Sequence, residues 1–125
     1  MFEVVDTGIV PSAGPVNGTV RAGPFLFMAH TPKDPISGEM LVGDIALQTR
    51  RCLENLKLAV EAGGGTLADV VQTRIYLIDL EDGPGMNAVY REFMPKPYPN
   101  RATVVVKALL NPVMRIEIVS TAYLG

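Results

Sequence analysis

The sequence predicts an α+β domain, one β-sheet carrying two helices on one face. Three observations lead there. Residues 44–62 repeat apolar side chains at helical spacing. Residues 70–78 alternate in the two-residue period of a strand. The element order reads strands, helix, strand, helix, two strands, and a single sheet with both helices on one face buries both helical stripes economically. The chain has 125 residues. It reads as one domain over 1–125, long enough to bury roughly two thirds of its unfolded surface in one core.

In chain order, Phe2, Val4 and Val5 around Glu3 suggest a short edge strand. Residues 11–18, rich in Gly and Pro, form a loop. Strands at 19–22 and 25–29 follow, separated by the turn signal Gly23-Pro24. Residues 30–43 are a second loop, broken by Pro32, Pro35 and Ser37-Gly38. In the helix at 44–62, Ile45, Thr49, Cys52, Leu53, Leu56 and Val60 make one apolar face, with Gln48, Arg51 and Glu54 elsewhere. Gly63-Gly64-Gly65 ends it, because glycine accepts the left-handed conformation that closes helices. Residues 66–69 read as one capped turn.

In the strand at 70–78, Val71, Thr73, Ile75 and Leu77 point one way and Gln72, Arg74 and Tyr76 the other. A second helix starts at Glu81-Asp82-Gly83-Pro84, with acids at its positive end. Met86, Val89, Tyr90 and Phe93 form its stripe, and Pro95, Pro97 and Pro99 stop it. Runs at 102–108 and 114–123 read as an antiparallel hairpin. On the last strand Ile116 and Ile118 face the helices, while Arg115, Glu117, Val119 and Tyr123 face away. A half-apolar sheet face left open calls for a partner, so self-association is expected.

Composition narrows the function classes. Hydrophobic residues make up 48% and charged residues 19%, which excludes intrinsic disorder. Lys and Arg total 11 against 13 acids, with no basic run, so no nucleic-acid partner is expected. No stretch approaches the roughly 18 apolar residues of a membrane span, so no membrane partner is expected either. The first residues carry Glu3 and Asp6 and no basic segment, unlike a secretory signal. The single cysteine, Cys52, forms no internal disulfide, which fits a reducing cytoplasm.

The sites that are absent matter as much. A metal needs converging His, Cys or carboxylate ligands. His30 is the one histidine and Cys52 sits on an apolar helix face, so no metal is expected. Gly63-Gly64-Gly65 follows a helix and precedes Thr66, unlike a phosphate loop. Neither a nucleophile elbow nor a dinucleotide fingerprint is present, and no cofactor is expected. What remains is Arg101, opening an apolar strand, and Glu117 inside Ile116-Glu117-Ile118. A charge in an apolar strand is costly unless paired or used. The plain reading is a salt bridge of Arg101 or Arg115 with Glu117. The sharper one is a cleft in which Arg101 takes a substrate carboxylate in its planar fork and Glu117 handles a water.

At this point the chain resembles a known family. Leu41-Val42-Gly43-Asp44-Ile45, Gln48-Thr49-Arg50 and Leu53-Glu54-Asn55-Leu56-Lys57 resemble the long-helix signature of the RidA (YjgF/YER057c/UK114) family. Asp69-Val70-Val71-Gln72-Thr73, Met86-Asn87-Ala88-Val89-Tyr90, Arg101-Ala102-Thr103-Val104 and Ile116-Glu117-Ile118 match later blocks in order. The resemblance implies a chorismate-mutase-like fold, a homotrimer and clefts between subunits. It implies hydrolysis of enamines and imines of the 2-iminopropanoate/2-iminobutanoate type to 2-oxo acids and ammonia.

Carried over by position, Arg101 holds the carboxylate of a small-molecule substrate, Glu117 positions the attacking water, and Asn87 and Ala29 complete the pocket. Three positions depart from the pattern. Val16 replaces a usual tyrosine, Met28-Ala29-His30 replaces Ser-Gly-Gln, and Thr103 stands where Cys is frequent. Val16 and Ala29 make room for a larger enamine such as 2-aminomuconate, a catabolic alternative. A non-enzymatic ligand-binding or chaperone-like trimer is the alternative of another class, and a salt-bridged Arg101 would favour it.

Overall fold

Six strands in the order β1-β2-β3-β6-β4-β5 make one sheet in the computed structural model, which describes residues 1–125. The strands are β1 (Glu3–Val4), β2 (Thr19–Ala22), β3 (Phe25–His30), β4 (Val70–Leu77), β5 (Asn100–Val105) and β6 (Ile116–Tyr123). Helix α1 (Ile45–Ala62) lies between β3 and β4, and α2 (Gly83–Phe93) between β4 and β5. All neighbours pair antiparallel except β4 and β5, which are parallel.

The core lies between the sheet and the helices. Leu53, Leu56 and Val60 of α1 and Met86, Val89 and Tyr90 of α2 pack with Leu26, Ile75, Ile116 and Ile118 of the sheet. Each fully buried aliphatic side chain contributes about 1.5–3 kcal/mol by leaving water. Asp44 caps α1 by accepting from the Leu47 amide at 2.9 Å, worth ~1 kcal/mol. At the other end two glycines are needed for different reasons. A Cβ on Gly63 would collide with Leu26, and Gly64 has φ +96°. Arg21 of β2 donates to the Gly63 carbonyl and closes the helix end.

Several details differ from the sequence reading. The hairpin of 102–108 with 114–123 is absent. A strand–helix–strand crossover returns the chain in its original direction, so α2 lays β5 parallel to β4. β6 then takes the other edge of β4 and fills the gap to β3. Val71 does not share a face with Thr73, Ile75 and Leu77. Val70 pairs with Ala122 and Gln72 with Thr121, so Val71 is the extra residue of a bulge and is exposed.

Gln48 is fully buried, not peripheral. Its amide donates to the carbonyls of Leu41 and Val113 at 2.8 and 2.7 Å and accepts from the Arg115 amide at 2.7 Å. One side chain thus ties both long loops to α1. The orientation of β6 matches expectation. Ile116, Ile118, Ser120 and Ala122 are buried under the helices, and Glu117, Val119, Thr121 and Tyr123 face the open side.

His30 ends β3 rather than opening the loop, in register with Ile118. It is buried, and its pKa is pushed down from 6.5 to about 4, by burial first and by the nearby Lys33 second. Between those values the unfolded chain binds a proton that the folded chain refuses, so stability rises with pH across the window. The effect approaches about 3 kcal/mol and is lost as pH falls toward 4. Half-buried Glu117, whose pKa burial raises, opposes this weakly above the usual carboxylate range. Denaturant unfolding at pH 7 and pH 4.5 should therefore show a loss at the lower pH that His30→Gln largely removes. An equal loss in the variant would mean that other groups set the slope.

Candidate active site

Arg101 is the second residue of the edge strand β5, in register with Thr73 of β4. Thr73 is buried under the helices, so Arg101 lies on that same side, against α2. Its guanidinium donates to Asn87 Oδ1 at 2.7 Å and reaches Met86 Sδ at 3.8 Å. Its Cζ lies 4.8 Å from the centre of the Tyr90 ring. The Tyr90 hydroxyl is bonded to the Thr73 hydroxyl at 2.9 Å. Burial pushes the Tyr90 phenol up, against smaller opposing effects of that bond and of Arg101, so it stays neutral. Every contact that aims Arg101 is uncharged, and its positive charge has no carboxylate partner.

The plain salt-bridge reading fails on both arginines. Arg115 binds Asp82 at 2.8 Å, a bond that raises its pKa. Arg101 forms no ion pair, and neither does Glu117. Glu117 lies on the open face, in register with Tyr76. It is half-buried, and burial raises its carboxyl pKa, which brings it nearer the range of a working base.

The candidate residues therefore fall into two groups. Arg101 and Asn87 are bonded to each other, and Thr103, in register with buried Ile75, follows on the same side of β5. A cavity of about 220 Å³ opens there, between Asn87, Tyr90, Arg91, Tyr98, Pro99 and Arg101. On the open face Ala29 pairs with Val119, two residues from Glu117 on the same side of β6. Exposed Val16 belongs to the loop that leads into β2, and the Gly18 carbonyl of that loop accepts from the Ala29 amide at 2.9 Å. Within one chain the sheet separates Arg101 from Glu117.

Sequence reasoning missed Tyr90 and Thr73 as supports of Arg101, and Arg91 and Tyr98 as cavity walls. Tyr90 reads in the sequence as part of the core stripe of α2, which it also serves. The open face carries Phe27, Val104 and Tyr123, 45%, 47% and 48% exposed. Phe25, Phe27, Val71, Gln72, Asn100 and Thr121 line a hollow of about 430 Å³ on it. No group of three His, Cys, Asp or Glu side chains converges in a way that would hold a metal ion. No helix is long and apolar enough to cross a membrane.

Comparison with known proteins gives a consistent picture. The profile of a family described as endoribonuclease L-PSP matches residues 9–124. A RutC family protein of Pyrococcus horikoshii is 43% identical, over 98% of each chain. The 3-aminoacrylate deaminase RutC of Acinetobacter baylyi is 35% identical over 96% of this chain and 95% of its own. Among solved structures, RidA from an Antarctic Psychrobacter superposes with a TM-score of 0.90. It is 32% identical and covers 97% of this chain and 98% of its own.

Proposed function

The chain belongs to the RidA/YjgF family, to which the endoribonuclease L-PSP profile and the RutC proteins also point, and from that premise we propose that it is an enamine/imine deaminase. The substrate is a small carboxylate-bearing imine, hydrolysed to a 2-oxo acid and ammonia. 2-Iminopropanoate and 2-iminobutanoate are the simplest members of the class. The observation that carries this reading is Arg101, a half-buried cation aimed by Asn87 and Tyr90 and left without a counter-ion. An anionic substrate supplies one. A relative that is a 3-aminoacrylate deaminase supports the same chemistry.

In the mechanism, Arg101 binds the substrate carboxylate in its fork and fixes the imine carbon. Glu117 accepts a proton from a water as the water oxygen bonds to that carbon. The C=N electron pair moves to nitrogen, which takes that proton from Glu117 and leaves a neutral carbinolamine. The carbinolamine then collapses: Glu117 takes the hydroxyl proton as C=O forms, C–N breaks, and the proton passes to the departing nitrogen, which leaves as ammonia. An enamine enters after protonation at carbon converts it to the imine. Imines hydrolyse unaided, so orientation and charge placement suffice.

Because Arg101 and Glu117 lie on opposite sides of the sheet, the proposed site draws them from two copies, the open face of one meeting the β5 edge of the next. A homotrimer closes three such clefts. The exposed apolar open face favours this assembly. Ribonuclease chemistry, which the family description names, is not favoured: the one histidine, His30, is buried and neutral at pH 7. A purely ligand-binding role loses its main argument, since Arg101 is not salt-bridged.

The test couples an amino-acid oxidase, as imine source, to detection of ammonia and 2-oxo acid. Release faster than the uncatalysed rate is expected, from an oligomer whose light-scattering mass is about three times 13.5 kDa. No acceleration with any imine of the panel would overturn the deaminase reading. A monomer would remove the two-copy cleft.

A further inference from the structure

The cavity beside Arg101 has a second cation that a monocarboxylate leaves unused. Arg91 follows Asn87 by four residues on α2, so the two side chains stack on one helix face, and Asn87 is the residue that holds Arg101. Arg91 and Arg101 both line the cavity of about 220 Å³, together with Tyr98 and Pro99. Arg91 is exposed and enters no ion pair, whereas its neighbour Glu92 is taken by Arg50 at 2.6 Å. Lys96 lies 5.9 Å from the Tyr98 ring and adds a third positive charge near the rim. No carboxylate lines this cavity.

We infer that the site selects dicarboxylic imines or enamines, with Arg101 taking the carboxylate next to the reacting carbon and Arg91 the carboxylate at the far end. The inference rests on the deaminase reading for the reaction, but the selectivity of the cavity stands apart from it. Arg suits a terminal carboxylate because its fork accepts both oxygens at once. Two cations without internal partners also raise the local concentration of a dianion more than that of a monoanion. Asn87 and Tyr98 offer uncharged contacts in the same cavity.

The test compares two ligands of equal length that differ at the far end, 2-oxoglutarate and 2-oxopentanoate, as analogues of the reaction product. Calorimetric titration of the wild-type protein should show about tenfold tighter binding of 2-oxoglutarate, a preference of about 1.4 kcal/mol. Arg91→Gln should reduce that ratio to near one, and Arg91→Glu should reverse it. Both variants lie on an exposed helix position, and circular dichroism confirms their fold. The same ratio is then read as relative kcat/KM for the imines made from glutamate and norvaline by amino-acid oxidases. Equal binding of the two acids by the wild type, no binding of either, or a preference that survives both variants would overturn the inference. Selective binding without hydrolysis of either imine would uphold the dicarboxylate site and overturn the deaminase reading instead.

Discussion

Arg101→Lys should lower kcat/KM about a hundredfold, close to 2.7 kcal/mol of transition-state stabilisation, with fold and oligomer unchanged. Lysine keeps the charge but loses the planar fork. It also loses the geometry that lets Arg101 reach Asn87 Oδ1 and the Tyr90 face together. An ammonium held by one contact leaves the imine carbon free to swing away from the water. The loss should fall on both KM and kcat, because carboxylate binding and orientation use the same side chain. Steady-state kinetics with one imine, alongside light scattering, checks this. Activity within a factor of about three of wild type would remove Arg101 from the site.

Glu117→Gln should cut kcat about a hundredfold, the lower end of what a positioned general base supplies, and change KM little. The amide keeps the shape and still orients a water, but it cannot take the proton. The pH profile separates this role from a structural one. Burial raises the Glu117 pKa, so wild-type kcat should fall as acid is added through that raised value, where the carboxylate becomes protonated. The variant should lack that acid limb. A variant with normal kcat and the same acid limb would assign the limb to another group and deny Glu117 the role of base.

The fold was legible where the signal is local. Apolar periodicity over 44–62 gives α1, and alternation on 116–123 correctly turns Glu117 to the open face. Strand pairing is a non-local property, and there the sequence was misleading. Two β-rich runs joined by a short loop look like a hairpin, but α2 forces β5 parallel to β4 and leaves the central place to β6. Likewise Val71 obeys the two-residue alternation in sequence, and only the shift in pairing between Val70 and Gln72 reveals the bulge.

The candidate site was legible as single residues that stand out from their strands, but not as an arrangement. Arg101 and Glu117 stand out as charges in apolar strands. Alternation already turns Glu117 to the open face, but that Arg101 lies on the other side depends on its register with Thr73 of β4, which no local pattern encodes. Arg91 escaped notice because a charged residue off the apolar stripe of a helix looks like solvent-facing decoration. Its four-residue spacing from Asn87 was the available signal. Gln48 was missed for a similar reason: a polar residue off the apolar face carries no local signal of burial, although its three hydrogen bonds make it a buried tie.

The central claim is that one deaminase site takes Arg101 from one copy and Glu117 from its neighbour. Co-expression of Arg101→Lys and Glu117→Gln chains in equal amounts tests it most directly. In a cyclic trimer assembled at random, about a quarter of the clefts would pair an intact Arg101 with an intact Glu117. Mixed oligomers should therefore recover about a quarter of wild-type imine hydrolysis, far above either variant alone. Activity no greater than the average of the two variants would contradict the claim, because it would place both residues in a site built by a single chain.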